Sequence, residues 1–249
     1  MTLELTGVRA GFGAQTIIHG VDLEVPAGKV TGIFGLNGAG KSVLLKVIGG
    51  VVPAWSGTVT LAGTDITRLL PERRVALGMA HVPQGRQVFR SLSVEQNLRV
   101  GAYTSRRRDK SSYGDRLARV FDTFPRLRER RAQPAGTLSG GEQAMLAVGR
   151  ALINDPQVIL IDEPSAGLAP AVVEDLLEVL LRVRDLGLTM LLVEQNIRFG
   201  LRLADRACLL QKGRIVYSGE TDQLDQQRLA NYLGVGRLLS DDLSAGLGR

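Results

Sequence analysis

Residues 35–42 read Gly35-Leu36-Asn37-Gly38-Ala39-Gly40-Lys41-Ser42. This is the pattern G-x-x-x-x-G-K-S, and its residue types specify a chemistry. Glycines let backbone N–H groups curl around phosphate oxygens, Lys41 puts a point charge on terminal phosphates, and the Ser42 hydroxyl can ligate Mg²⁺. A helix that follows aims the positive end of its dipole at the same anion. The flanks supply that order. Val30, Ile33 and Phe34 form a short apolar run, as in a buried strand. Val43, Leu44, Val47 and Ile48 recur at helical spacing before Gly49-Gly50 ends the helix. A glycine-rich turn with an incidental lysine would explain neither flank.

The chain has 249 residues, enough for one large domain or a domain with a subdomain. Its 44% hydrophobic and 22% charged content is ordinary for a globular protein. A single cysteine, Cys208, excludes an internal disulfide, and its apolar strand from Ala207 to Leu210 predicts a buried thiol. The opening MTLELTGVRA has no signal-peptide pattern, and no stretch approaches the roughly 18 apolar residues of a membrane span, so a cytoplasmic protein is expected. The formal net charge is +6. The basic residues are scattered apart from Arg106-Arg107-Arg108 and the run from Arg126 to Arg131, and aromatics are only 4%. That disfavours nucleic acid as a partner. The arginine clusters read first as solvated faces, and second as a surface near lipid headgroups or a membrane partner.

Residues 3–8 and 21–25 alternate apolar and polar, with a turn at Pro26-Ala27-Gly28, and predict an N-terminal antiparallel β layer. Val59 to Leu61 and Met79 to Val82 are further short strands. From about 85 to 152 the texture is polar and Arg-rich, with helices at Ser93 to Ala102 and Asp115 to Phe124, which reads as an inserted α-helical subdomain. Val158 to Ile161 returns as a buried strand. Pro170 opens a helix with Val173, Leu176, Leu177 and Leu180 on one face, Gly187 ends it, and Thr189 to Val193 is the next strand. This strand–helix–strand unit predicts a parallel sheet. Arg206 to Leu210 and Arg214 to Tyr217, around Lys212-Gly213, predict a closing hairpin. Residues 235–249 read as a flexible C-terminal tail.

Two further motifs carry chemistry. Ile161-Asp162-Glu163-Pro164 ends the apolar strand, and a carboxylate at the C-terminal edge of a parallel strand faces the ligand crevice. Asp162 is placed to hold Mg²⁺ and Glu163 to polarise an attacking water. A solvated strand end is the rival reading, and the phosphate loop upstream weighs against it. Leu138-Ser139-Gly140-Gly141-Glu142-Gln143 opens an apolar helix. Ser139 with Glu142 makes a capping box, while the two glycines bare the backbone at a positive helix end, as an anion site would. The residues alone do not choose between these.

The ordered set GLNGAGKS, Gln84, LSGGEQ, ILIDEP and SAGLAP resembles the nucleotide-binding domain of ATP-binding cassette (ABC) transporters over about residues 1–234. LSGGEQ is much more specific than the phosphate loop, which many NTPases share. Finer segments resemble one subgroup, the smaller ATPase subunit of branched-chain amino acid importers and their urea and short-amide relatives. They are Gln84-Gly85-Arg86-Gln87-Val88-Phe89, Ser93-Val94-Glu95-Gln96-Asn97-Leu98, Phe124-Pro125-Arg126-Leu127, Glu163-Pro164-Ser165-Ala166-Gly167-Leu168-Ala169-Pro170, Leu192-Val193-Glu194-Gln195-Asn196 and Tyr232-Leu233-Gly234.

The resemblance implies an α/β fold. Its P-loop NTPase core, residues 1–84 and 153–234, has a mixed, mainly parallel sheet and the N-terminal antiparallel layer. The helical subdomain spans about 85–152. It implies ATP and Mg²⁺, with Lys41, Glu163 and Gln195 catalytic, Ser42, Gln84 and Asp162 on the metal, and Gly35, Leu36, Asn37, Gly38, Ala39, Gly40, Lys41 and Ser42 around the phosphates. Phe12 matches the adenine-stacking aromatic, usually a tyrosine; packing into the core is its rival reading. In the family it resembles two such domains pair head to tail, which implies that Ser139, Gly140, Gly141 and Glu142 act on the ATP of a second ATPase subunit, identical or different. The resemblance also implies that Gln84 joins the core to the subdomain where transmembrane permease subunits dock, with a substrate-binding protein as an indirect partner. The expected place is the inner face of the cell membrane. Gln195 stands where the general pattern has a histidine, and Ala169 where an aspartate is common. His19 and His81 lie outside the motifs and read as turn or core residues. The implied function is ATP hydrolysis powering branched-chain amino acid uptake. Urea or short amides are alternative cargoes. A soluble, non-transport ABC ATPase is disfavoured by one cassette, no coiled-coil insertion and no basic groove.

Overall fold

A computed structural model of the chain describes residues 1–85, 87–103, 112–224 and 229. The 235–249 tail, Tyr232-Leu233-Gly234 and Arg106-Arg107-Arg108 lie outside the described residues. Strands β1 (Leu3–Phe12) and β2 (Gln15–Val25) form a hairpin. The strands expected at 3–8 and 21–25 are the far halves of these longer ones. Register shifts between Leu5 and Val8 and between Ala10 and Gly11 break the alternation, so the period-2 signal fades before the turn. β3 (Val30–Phe34), buried at every position, delivers the phosphate loop to α1 (Lys41–Ile48). Next come β4 (Ser56–Leu61), β5 (Thr64–Asp65), α2 (Pro71–Ala76) and β6 (Met79–Val82). Among the described residues, the α-helices α3 (Val94–Gly101), α4 (Tyr113–Thr123), α5 (Pro125–Glu129) and α6 (Gly140–Leu152) follow. α4 starts ahead of the expected Asp115 because Ser112 caps it, with Asp115 completing the capping box. The chain then runs through β7 (Val158–Asp162), α7 (Pro170–Asp185), β8 (Thr189–Glu194), α8 (Ile197–Leu203), β9 (Arg206–Gln211) and β10 (Arg214–Glu220).

The strands form two sheets. The first is antiparallel, in the order β2-β1-β4-β5. The second has the order β10-β9-β3-β8-β7-β6. In it β9, β3, β8, β7 and β6 run parallel, and β10 closes the edge antiparallel to β9. The β9–β10 turn at Lys212-Gly213 has φ of 46° and 73°. Both values are positive, as a two-residue hairpin of this twist demands, and glycine meets that demand without strain.

The second sheet is buried on both faces, which is why its central strands read as unbroken apolar runs. Along β8, Leu191 and Val193 join Leu44, Ile48, Val59 and Cys208 in the layer between the sheets. Met190 and Leu192 join Phe124, Leu146, Leu176 and Phe199 under the helices on the other side. Cys208 is the core thiol expected. Its Sγ donates to Ser218 Oγ at 3.4 Å, and burial pushes its pKa up. The Arg126–Arg131 run bonds to surface carboxylates (Arg126 to Glu129, Arg128 to Asp122, Arg131 to Glu95), as a solvated face does. Among the described residues, no helix is long and apolar enough to cross a membrane.

Candidate functional site

The phosphate loop leaves β3 and the acid pair leaves β7, at the same C-terminal edge of the parallel sheet. Ligands of open α/β sheets bind in that crevice. Lys41 is 5% exposed, and its Nζ donates to Gly35 O at 2.9 Å and Leu36 O at 3.3 Å. The same Nζ lies 3.3 Å from Glu163 Oε1. Ser42 Oγ donates to Asp162 Oδ1 at 3.0 Å, and Gln84 Nε2 donates to Glu163 Oε2 at 2.8 Å. Lys41, Ser42, Gln84, Asp162 and Glu163, read from separate motifs, thus meet at one sheet edge in two bonded groups, Lys41–Glu163–Gln84 and Ser42–Asp162, joined through the adjacent residues 41–42 and 162–163. Gly40 caps α1 with φ 104°, a conformation closed to ordinary side chains.

The carboxylates differ in setting. Asp162 is 4% exposed; burial pushes its pKa up and the Glu163 charge adds to this, while the Ser42 hydroxyl, Lys46 and Lys41 hold it back. Glu163 has φ 45°, a strained value for a residue with a Cβ. Its N–H donates to Val193 O at 2.9 Å, which pins that kink to β8. At Ser42 and Asp162 the ligating groups are a hydroxyl and a carboxylate. Among the described residues no group of three or more His, Cys, Asp and Glu is arranged to hold a metal ion. A sparse oxygen-only set suits Mg²⁺, which keeps waters and takes phosphate oxygens, rather than a metal needing a full protein cage.

Among the remaining candidates, Gly35 and Leu36 accept from Lys41, and Gln195 shares a cleft with Glu163. Ser139 caps α6: its Oγ accepts from Glu142 N at 3.2 Å, and Glu142 Oε2 accepts from Ser139 N at 2.9 Å. Glu142 Oε1 pairs with Arg130 Nε at 2.9 Å, a partner the sequence reading did not anticipate. The capping box leaves the first-turn glycine amides unused. The cap uses the amide of Glu142, and the amides of Gly140 and Gly141 stand in the first turn, where helix geometry offers no acceptor. Phe12, at the end of β1, is 53% exposed, so it does not pack into the core. Gln195 follows β8 and lines one open cleft with Glu163, Ser165 and Asn196. His19 lies within β2 and His81 within β6. Sequence reasoning overlooked Glu194, a buried carboxylate at the end of β8. The signal was present: an acid closing an otherwise apolar strand.

Fold and site together define a P-loop nucleotide-binding protein. Residues 18–166 match the family described as ABC transporter. The high-affinity branched-chain amino acid transport ATP-binding protein BraG of Pseudomonas aeruginosa is 43% identical over 214 residues, covering 86% of this chain and 91% of that protein. The probable branched-chain amino acid transport ATP-binding protein LivF of Archaeoglobus fulgidus is 42% identical over 223 residues, covering 89% and 93%. The crystal structure of a nucleotide-free ATP-binding cassette from an ABC transporter superimposes with a TM-score of 0.80 at 28% identity, covering 94% of this chain and 96% of that one. The chain belongs to the ABC transporter family, as a subunit that hydrolyses ATP to power transport.

Proposed function

We propose that this chain drives the uptake of branched-chain amino acids, working at the inner face of the cell membrane with permease subunits and, through them, a substrate-binding protein. The observation that carries the chemistry is the convergence of Lys41, Ser42, Gln84, Asp162 and Glu163 at one sheet edge. The cargo follows the relatives BraG and LivF.

Residues 1–84 and 153–234 serve as the nucleotide core, and 85–152 as the segment that meets the permease, with Gln84 at the joint. The Phe12 ring stacks on adenine. The amides of Gly35, Leu36, Asn37, Gly38, Ala39 and Gly40 surround the phosphates, and Lys41 carries the cationic contact. Ser42, Asp162 and Gln84 would hold Mg²⁺, which when bound neutralises charge on the phosphate oxygens. Glu163 polarises the attacking water. Gln195 donates a hydrogen bond to the terminal phosphate; an amide neither carries charge nor titrates, so it orients rather than transfers a proton. Ser139 and the amides of Gly140 and Gly141 act on the ATP of a second ATPase subunit paired head to tail. Glu142 holds that segment in shape.

The test is uptake of labelled leucine in cells lacking this chain. The wild-type chain restores uptake and Lys41→Ala does not. Restored uptake of urea or a short amide, with leucine uptake unmoved, would overturn the cargo.

A further inference from the structure

β8 is buried at every position and apolar from Met190 to Val193, and it ends on Glu194, which is 1% exposed. Its carboxylate is fully engaged. Oε1 accepts from Ser165 N at 2.9 Å, and Oε2 accepts from Gln195 N and Asn196 N, both at 3.0 Å. Ser165 belongs to the turn that follows Glu163; Gln195 and Asn196 belong to the loop after β8. One buried carboxylate therefore bonds the amides of two separate loops, and both loops line the cleft shared by Glu163 and Gln195.

An unremarkable cap would explain an acid at a strand end, but α8 does not need one. Asn196 already caps it, its Oδ1 accepting from Phe199 N at 3.1 Å. Burying the ion is also unfavourable in itself. Desolvation raises the Glu194 pKa, and the bonds from Ser165, Asn196 and Gln195 only partly restrain it. A residue kept at that cost fits a role in geometry rather than in stability.

We propose that Glu194 is a positioning residue for ATP hydrolysis. Its carboxylate ties the Ser165 amide to the Gln195 and Asn196 amides, and so fixes the spacing between Glu163 and Gln195. This rests on the role given above to Glu163.

Two variants of the full chain test it. Glu194→Gln keeps the shape but turns one oxygen into an NH₂ group, which cannot accept from a backbone N–H. Glu194→Asp keeps the charge but is one methylene too short to span both loops. Steady-state ATP hydrolysis should show kcat about tenfold lower in Glu194→Gln, and lower in Glu194→Asp, with KM for ATP within about twofold of wild type. Amide hydrogen exchange at 165, 195 and 196 should quicken. Wild-type kcat in both variants would overturn the proposal. So would a kcat loss matched by an equal loss of nucleotide affinity and a general fall in melting temperature, which marks a merely structural role. Where Glu194→Gln does not fold, Glu194→Asp decides. Glu163→Gln separates the two levels. If it keeps full turnover, the role of Glu163 fails; if it stops turnover while both Glu194 variants run normally, only the positioning role fails.

Discussion

Replacing Lys41 by alanine isolates the cation of the phosphate loop. Its ammonium group is buried and held by Gly35 O, Leu36 O and Glu163 Oε1. Coulomb attraction across the 3.3 Å to Glu163 is roughly 5 kcal/mol at an effective dielectric of about 20. Desolvation of the two charges offsets much of that gain. The pair therefore matters less to stability than to where the charge stands. Opposite a phosphate, the same ammonium makes charge-assisted hydrogen bonds worth about 1.5–3 kcal/mol. At about 1.4 kcal/mol per decade, Lys41→Ala weakens ATP binding about tenfold to a hundredfold. The loss must be selective, because the proposed role sets Lys41 against the terminal phosphates. Calorimetric titration of ATP, ADP and AMP against both proteins measures it. ATP affinity should fall by that factor, with AMP affinity unmoved within about twofold. An unchanged ATP dissociation constant, or equal losses for ATP and AMP, would refute the reasoning.

Arg74 is buried and donates to Val47 O and Ile48 O at the end of α1, and to Thr67 O and Leu69 O. Arg74→Met strands these carbonyls and should cost about 3 kcal/mol, roughly 6–12 °C in Tm, read by thermal unfolding; a loss within error of zero would show that water replaces the guanidinium freely. His81 is held below its ordinary value of 6.5 by burial, with the Lys46 charge adding to it. The unfolded chain therefore takes up a proton that the folded chain resists, and stability drains away as pH falls below about 6.5, by at most about 1.4 kcal/mol per pH unit. His81→Gln should flatten that part of the stability curve in denaturant titrations and leave the region above it unchanged; identical slopes would contradict the assignment.

What was legible in the sequence was local. The phosphate loop, the acid pair and the Ser139–Glu142 box each fall within a few consecutive residues, where backbone conformation and residue type determine each other. The buried strands at Val158 and Thr189 were legible because burial on both faces leaves an unbroken apolar run. The near halves of β1 and β2 were not, since register shifts erase the alternation there. α2 and α8 are six and seven residues long, too short for helical periodicity to emerge. Contacts between distant segments were the least legible. No local pattern says that Arg130 meets Glu142, that Arg74 caps α1, or that Glu194 bonds an amide 29 positions away. In the same way, Gln84 and Glu163 were assigned roles one by one, while their hydrogen bond, across 79 positions, belongs to the folded chain alone.

The central claim is that Glu163, not the phosphate loop alone, turns a nucleotide-binding protein into one that cleaves ATP. Pre-steady-state turnover and ATP affinity, measured together on Glu163→Gln, address it most directly. Hydrolysis should slow by about 10²–10⁴. Affinity should hold or tighten, since the variant removes the negative charge 3.3 Å from Lys41 Nζ. Turnover near the wild-type rate, or affinity lost in proportion to turnover, would contradict the claim.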